Sequence, residues 1–227
     1  PIAPDGFYAT AFETDATNLA SVASTNGFRQ IALRLPTLNI TELISVGQSG
    51  FGNGISSNPS VTINSAPNRI IVAFASRATN LVPNDTNGAR DIFVAEVRPT
   101  QNLSSQSSVS ITRITADSSL GSQANGDSET PIVGGDGRFV VFASNASNLI
   151  PGRTLSNNQI YLSNRSSRST ALVSQSSNGG AGDDDSERPS ISFSGTLIAF
   201  ATRAKNLGPS NSAGKKIVVV KDLGTGA

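Results

Sequence analysis

Short apolar runs alternate with polar, glycine-rich stretches along the whole chain, and the runs recur in a fixed order. The clearest recurring phrase places a small or aliphatic residue before Phe and ends in Asn-Leu. Its four copies span residues 11–19, 73–81, 141–149 and 199–207. Because self-similarity at a fixed period is the sequence signature of repeat architectures, the chain is predicted to contain four copies of one unit.

Each copy contains up to four short segments with strand character, which we label a to d in chain order. Segment b is the phrase with Phe. The other segments are a at 59–61, 131–133 and 189–191, c at 31–33, 92–94, 160–162 and 217–219, and d at 43–46, 111–114 and 171–174. Four short strands per repeat predict an all-β fold, a β-propeller in which each repeat is one four-stranded sheet. A β-sandwich is the alternative, but it does not account for a phrase repeated in register.

The repeats are placed at approximately 1–58, 59–130, 131–188 and 189–227 of a single domain. Segment a of the first copy is cut short at Pro1-Ile2-Ala3, and the last copy lacks its outer strand d. An open sheet edge invites pairing with another strand. The chain is therefore interpreted as a single propeller domain or a fragment of one, or as a unit whose open edge a neighbouring chain completes.

Two stretches resemble a known family. They are Asp136-Gly137-Arg138-Phe139-Val140-Val141-Phe142, and Asn80-Leu81-Val82-Pro83-Asn84-Asp85 leading into Asp91-Ile92-Phe93-Val94. Together with the Asn-Leu phrase they are similar to the TolB-like β-propeller repeats of bacterial extracytoplasmic proteins. The resemblance implies a propeller fold and a periplasmic or secreted location. It does not specify a function, since such repeats occur in scaffolds, in sensors and as modules of hydrolases.

Composition narrows the chemistry. The 227 residues include no His, Cys, Met or Trp, which excludes a Ser-His-Asp triad, thiol chemistry and zinc fingers. Seventeen basic and 16 acidic residues give a net charge of +1, and only two Tyr are present, so nucleic acid is not an expected partner. The apolar runs are too short to span a bilayer.

Loop lengths indicate which face has a function. The a–b turns at 135–137 and 194–196 are tight, whereas the b–c loops (81–90, 149–158) and the d–a loops (117–130, 175–188) are long. Long loops on a rigid scaffold carry binding residues, so the face formed by these loops is the expected functional face. The Ser- and Gln-rich c–d loop at 98–110 is expected to be a mobile surface loop.

Carboxylates in the d–a loops are the candidate ligand-binding residues. They are Asp127, Glu129, Asp183, Asp184, Asp185 and Glu187. Three interpretations remain open: solvated loop residues that cap strand a, a binding site for Ca²⁺ or another ligand, and an acid–base pair as in glycoside hydrolysis. No catalytic residue is assigned.

A weaker metal candidate lies in the second b–c loop, where Asp85, Asn87 and Asp91 surround Gly88. The spacing is faintly like that of a calcium loop, but the ligand set is too small for Ca²⁺, and Asx turns account for it without metal. No cofactor is expected, and calcium is the alternative.

The recurring Asn at 18, 80, 148 and 206 is interpreted as a structural residue that bonds local backbone, while the following Leu fills the core between repeats. The favoured function is a non-catalytic extracytoplasmic propeller that binds a protein or carbohydrate partner on its long-loop face. The alternatives are a hydrolase or glycosidase module that uses the loop carboxylates, and an assembly unit that self-associates through its open edge.

Overall fold

The computed structural model describes residues 8–19, 27–64, 69–98, 109–116, 122–208 and 215–224. Within these ranges the chain forms β-strands and a single 3-10 turn at Pro36–Leu38. The strands are β1 (Thr10–Thr14), β2 (Gln30–Leu35), β3 (Ile40–Leu43), β4 (Val46–Gly47), β5 (Gly50–Phe51), β6 (Ser56–Asn64), β7 (Arg69–Ser76), β8 (Asp91–Val97), β9 (Val109–Arg113), β10 (Ser128–Val133), β11 (Phe139–Ser144), β12 (Gln159–Asn164), β13 (Ser169–Leu172), β14 (Ser186–Ile191), β15 (Leu197–Thr202) and β16 (Ile217–Asp222). No helix in the described ranges is long and apolar enough to cross a membrane.

Four antiparallel sheets of three or four strands follow one another along the described residues, and β4 and β5 form a separate two-stranded sheet. Sheet 1 is β1-β2-β3, sheet 2 is β6-β7-β8-β9, sheet 3 is β10-β11-β12-β13 and sheet 4 is β14-β15-β16. Sheets 2 and 3 contain the predicted strands a to d, and sheet 4 contains a to c. The predicted segment a of the first copy, Pro1-Ile2-Ala3, and most of the c–d loop at 98–110 lie outside the described residues.

Strand a begins earlier than the sequence pattern indicated. It starts at Ser56, Ser128 and Ser186 rather than at the Pro three residues later. A β-bulge follows in each sheet, and the residue before each Pro has a left-handed backbone, with φ of 53° at Asn58, 50° at Thr130 and 53° at Arg188. A bulge interrupts the alternation of side chains between the two faces of a sheet. For this reason the sequence pattern did not predict that the polar start of each of these strands belongs to the strand.

The predicted alignment of strand c in the fourth copy was wrong by one residue. Thr202 pairs with Ile217, whereas the equivalent Ser144 pairs with Gln159. Val218 therefore occupies the position of Ile92 and Ile160, which the sequence had assigned to Ile217. A continuous run of four apolar residues has no alternation that would fix its register.

The hydrophobic core lies between successive sheets. Sheet 2 shows the arrangement most clearly, because Val72 and Phe74 point into a cluster shared with sheet 1, whereas Ile71 and Ala73 point into a cluster shared with sheet 3. A third cluster fills the space between sheets 3 and 4. Aromatic pairs reinforce two of the sheets, Phe74 with Phe93 and Phe142 with Tyr161, at centroid distances of 5.9 and 5.7 Å.

Hydrogen bonds join neighbouring sheets at strand a and at the tight a–b turn that follows it. Thr62 donates from Oγ1 to the Gly135 carbonyl at 2.8 Å, and the Gly135 N–H donates to the Phe193 carbonyl at 3.0 Å. In sheets 2, 3 and 4, strand a with the turn that follows it is thus the part of the sheet that bonds to the neighbouring sheet. Sheets packed face to face in chain order, with strands a adjacent, have the architecture of propeller blades.

Candidate functional site

The b–c and d–a loops contact each other on one face, as predicted. Gln123 of a d–a loop donates to the Asn84 carbonyl at 2.7 Å and accepts hydrogen bonds from the N–H groups of Thr86 and Asn87. In the next sheet, Arg153 of the b–c loop donates to the Gly179 carbonyl of the d–a loop at 3.0 Å. The described parts of loops 77–90, 122–127, 145–158 and 175–185 form what we call the long-loop face.

Asp127 and Glu129 connect sheet 3 to sheet 2. Asp127 accepts a hydrogen bond from the Arg90 backbone N–H at 2.9 Å, and its other carboxylate oxygen pairs with Arg77. Glu129 lies 3.5 Å from the Arg90 guanidinium. Between these two carboxylates, the Ser128 N–H donates to the Arg90 carbonyl at 2.7 Å. Both candidate acids therefore hold the end of one b–c loop against the start of the next strand a.

Asp185 repeats this arrangement one sheet further on. It accepts a hydrogen bond from the Asn158 N–H at 2.9 Å, and the Ser186 N–H donates to the Asn158 carbonyl at 2.8 Å. Glu187 instead pairs with Lys216, and the hydrogen bond from Lys216 holds the pKa of Glu187 below its usual value. Asp185 is thus the counterpart of Asp127 in position and in contact.

Asp183 contacts the b–c loop of its own sheet, and Asp184 contacts its own d–a loop. Asp183 accepts a hydrogen bond from the Lys205 N–H at 2.7 Å, just as Asn53 and Asn125 accept from the equivalent backbone groups in sheets 2 and 3. Asp184 accepts from the N–H of Asp185 at 2.7 Å. At the Asp183 position, an Asn in two other copies makes the same bond, so a side-chain oxygen rather than a negative charge is what the loop requires.

All six candidate carboxylates thus have protein partners. Those of sheet 3 contact sheet 2, and those of sheet 4 contact sheet 3 or their own sheet. Across the described ranges, no group of three or more acidic side chains is arranged to hold a metal ion.

The structure brings Asp85, Asn87 and Asp91 together, with Arg113 beside them. The Arg113 guanidinium lies 3.0 Å from Asp85 and 3.8 Å from Asp91, and Asn87 donates to Asp91 at 2.9 Å. Burial raises the pKa of Asp91 despite its hydrogen bonds from Thr115 and Asn87, and burial likewise raises the pKa of Asp85 despite Arg113. A cation from the protein itself therefore already faces both carboxylates.

The repeat explains why these residues occur in sheet 2. Gln30 and Gln159 occupy the position of Asp91, and each accepts a hydrogen bond from a Ser hydroxyl while its amide donates to a loop carbonyl at 2.9 Å. Asp91 accepts from Thr115 in the same way, but it has no amide. Asn87 supplies the missing donor by bonding the Ala124 carbonyl at 2.9 Å. Asp91 and Asn87 together replace one Gln.

At 80, 148 and 206 the recurring Asn is structural, as predicted, but its partners are not local. Asn148 donates to the Gln123 carbonyl at 2.8 Å and accepts from the Asn125 N–H at 3.0 Å, which ties the b–c loop to the d–a loop of its own sheet. Asn80 and Asn206 make the equivalent pair of bonds. The prediction that the following Leu fills the core is confirmed for Leu81 and Leu149, which are buried, and is wrong for Leu19, which is 42% exposed.

Sequence reasoning missed a charged contact at the opposite end of sheets 2 and 3. Glu96 pairs with Arg69 of its own sheet at 2.6 Å and with Arg165 of sheet 3, beside a cleft of about 370 Å³. Burial favours a raised pKa for Glu96, but the hydrogen bonds and charges of Arg165 and Arg69 outweigh it and hold the pKa below its usual value. An acidic residue inside the apolar run of β8 was the only sequence signal for this contact.

The fold and this loop face define a β-propeller protein. No protein-family model matches the chain, and no curated protein matches it. Among solved structures, a TolB-type protein from Agrobacterium tumefaciens is similar with a TM-score of 0.53 at 16% identity, over 98% of this chain and 60% of that one.

Two further structures are similar at lower scores. TolB from Acinetobacter baumannii has a TM-score of 0.46 at 20% identity, over 88% of this chain and 36% of that one. A Hadza microbial sialidase has a TM-score of 0.47 at 12% identity, over 97% of this chain and 43% of that one. The chain thus spans about a third to three fifths of the length of the TolB structures it matches. At these identities the likeness concerns the propeller fold alone.

Proposed function

We propose that the chain is a non-catalytic propeller scaffold that binds a protein partner through its long-loop face, in an extracytoplasmic compartment of a bacterium. The observation that carries this proposal is the use of the loop carboxylates. Asp127 and Asp185 each hold the b–c loop of the preceding sheet by a 2.9 Å hydrogen bond to backbone. Loops fixed in this way form a preorganised surface, and preorganisation reduces the entropy lost on binding.

The exposed side chains of this face favour a protein over a carbohydrate partner. Arg153, Thr154, Ser177 and Asp183 are exposed there, and they present both charges and small hydroxyls. Mixed charge of this kind suits the polar rim of a protein interface, where complementary charges steer association. The chain contains no Trp, and of its two Tyr residues Tyr161 is fully buried, so neither Trp nor Tyr161 can offer a ring surface to a carbohydrate.

The test compares two matched variants in affinity capture from the periplasm of the source bacterium, with the partner identified by mass spectrometry. Thr154→Arg and Ser177→Arg together place bulk and charge on the long-loop face. Ser167→Arg changes an exposed residue in the turn between β12 and β13, on the opposite face. We expect one captured protein to be lost with the first variant and retained with the second. A partner retained equally by both variants would contradict the proposal.

The captured partner must then bind directly. Purified partner titrated against the wild-type chain and the same variants by calorimetry should reproduce the loss. A glycan array run in parallel tests the carbohydrate alternative. Binding of a glycan by the wild-type chain that is lost in the long-loop variant would show that the partner is a carbohydrate and would contradict the proposal of a protein partner.

A further inference from the structure

A cleft of about 370 Å³ opens between sheets 2 and 3, at the end of the sheets opposite the long-loop face. Three arginines line it: Arg69 at the start of β7, Arg138 in the a–b turn of sheet 3, and Arg165 directly after β12. Two acids, Glu96 of β8 and Asp136, line it as well, and the other lining residues are uncharged. Three basic and two acidic side chains leave the cleft with one net positive charge. Its volume is within the range of small-molecule pockets.

The repeat shows that packing between sheets does not require the charges of Glu96 and Arg165. The strand register places uncharged residues at the same two positions of the other described boundaries: Leu35 with Val97 between sheets 1 and 2, and Asn164 with Leu223 between sheets 3 and 4. Leu35 and Val97 belong to the apolar cluster of their boundary. An apolar pair commonly stabilises such a contact as well as a largely buried ion pair does. Packing alone therefore does not account for the charged pair.

Glu96 holds two of the arginines in place without using all their donors. It accepts a hydrogen bond from Arg69 Nη1 at 2.6 Å and another from Arg165 Nη2. Arg165 Nη1 donates to the Gly137 carbonyl at 2.6 Å. Since a guanidinium carries five N–H donors, these contacts fix the orientation of both groups and leave further donors for a ligand.

Arg138 supplies a positive charge that no described carboxylate neutralises. None of the ion pairs within the described residues includes it. The neighbouring Asp136 accepts the backbone N–H of Arg138, at 2.9 Å, and not its guanidinium. The guanidinium lies 4.2 Å from the centre of the Phe139 ring, a contact that positions a cation and keeps its charge. Arg138 is exposed, so its charge is accessible to a ligand.

We propose that this cleft binds the carboxylate group of a small organic anion through Arg69, Arg138 and Arg165. The planar guanidinium fork matches the two oxygens of a carboxylate. One net positive charge suits a monovalent carboxylate, whereas the second charge of a phosphate dianion would face Glu96 and Asp136 without a counter-charge. A free hydroxy acid and the C-terminus of a peptide present the same group. The inference goes beyond the proposed partner binding, because the cleft lies away from the long-loop face.

A titration followed by two-dimensional proton–nitrogen NMR tests binding and its location together. The probes are lactate, for a free hydroxy acid, and N-acetylalanine, for a peptide C-terminus, in a buffer without phosphate. We expect at least one of them to bind with a Kd of about 1 mM or below, and to shift the amide signals of Arg138 and Ser166 most. The tighter of the two identifies the source of the carboxylate.

Uncharged and phosphate probes decide whether the carboxylate is what the cleft recognises. Lactamide and N-acetylalaninamide have nearly the same shape as the acids and should bind at least ~tenfold less tightly. Inorganic phosphate should also bind less tightly than the better acid. Absence of binding by both acids up to about 50 mM would overturn the proposal, and so would equal binding of acid and amide or tighter binding of phosphate.

Two matched variants separate the cleft from the overall charge of the chain. Arg138→Gln removes the exposed arginine of the cleft, and Arg168→Gln removes an exposed arginine of the turn between β12 and β13 that does not line it. The first variant should weaken binding of the better acid by at least ~fivefold, and the second by less than ~twofold. Equal weakening by both variants would mean that only net charge matters and would overturn the proposal.

A double variant tests the argument from the repeat. Glu96→Leu with Arg165→Val gives the boundary between sheets 2 and 3 the apolar pair found between sheets 1 and 2. The better acid should bind at least ~tenfold less tightly, because the Arg165 guanidinium is gone. The midpoint of urea denaturation should not fall, since the side chain of Arg69 is 33% exposed and its charge can remain solvated. Unchanged binding, or a clearly lower midpoint, would overturn the proposal.

Discussion

Replacement of Asn148 by Ala tests the link between the two kinds of loop. The Asn148 side chain makes two hydrogen bonds to the d–a loop, at 2.8 Å to the Gln123 carbonyl and 3.0 Å from the Asn125 N–H. Each such bond contributes a net ~0.5–1.5 kcal/mol, and both partners lie where water has partial access. Asn148→Ala should therefore lower the free energy of unfolding by about 2 kcal/mol.

Urea denaturation monitored by tyrosine emission is the assay, because Tyr161 is fully buried between sheets 2 and 3 and the chain has no Trp. The exposed Asn145, three residues earlier in the same loop, is the matched control, and Asn145→Ala should change stability by less than ~0.5 kcal/mol. Asn148→Asp keeps the acceptor for Asn125 but faces the Gln123 carbonyl with a second oxygen, so it should destabilise at least as much as Ala. Equal stability of Asn148→Ala and Asn145→Ala would refute this reasoning.

Three further predictions concern a close approach and two buried titrating groups. Gly47→Ala should lower the free energy of unfolding by at least ~2 kcal/mol in the same assay, because the new Cβ would lie 1.9 Å from the Asn80 carbonyl oxygen. Gly180→Ala is the control. Its Cβ would have its nearest contact at 3.2 Å, so it should lower the free energy of unfolding by less. Burial raises the pKa of Asp91 above 3.8, so above that pH the native state keeps a proton that the unfolded chain has lost. The free energy of unfolding should therefore fall as the pH rises from 3.8 towards the native pKa of Asp91. Asp91→Gln should therefore gain stability relative to the wild type as the pH rises above 3.8, and a difference independent of pH would argue against this. Burial also raises the pKa of Tyr161 to about 12, so the free energy of unfolding should fall as the pH rises from 10 towards 12. Phe93 occupies the position of Tyr161 in sheet 2, and Tyr161→Phe should abolish this fall in an alkaline titration.

The propeller architecture could be predicted from the sequence because the same residue types recur at the same structural positions in successive sheets. Phe74, Phe142 and Phe200 recur at one position, and all three are buried between sheets. The tight a–b turns were also predictable, since Gly137 and Gly195 adopt φ of 73° and 76°, which Gly favours. Repetition identifies a structural position even when no single copy is distinctive.

The candidate site was harder to predict because its contacts join residues far apart in the chain. Asp127 and Asp185 stood out as charges in long loops, but nothing in the sequence pairs them with the backbone of Arg90 and Asn158. The Asp85 loop looked like a weak metal motif because Arg113 comes from a strand more than 20 residues later. Comparison of Asp91 with Gln30 and Gln159 at the equivalent position would have indicated a polar network in place of a metal site.

The loop carboxylates link neighbouring sheets, and these links fix the face proposed to bind a partner. Hydrogen exchange of Asp127→Ala, followed by mass spectrometry with the wild type as reference, tests this claim most directly. We expect faster exchange at Arg90 and Ser128, whose N–H groups bond across the boundary between sheets 2 and 3, and unchanged exchange at Asn158 and Ser186 one boundary further on. Unchanged exchange at Arg90 and Ser128 would contradict it.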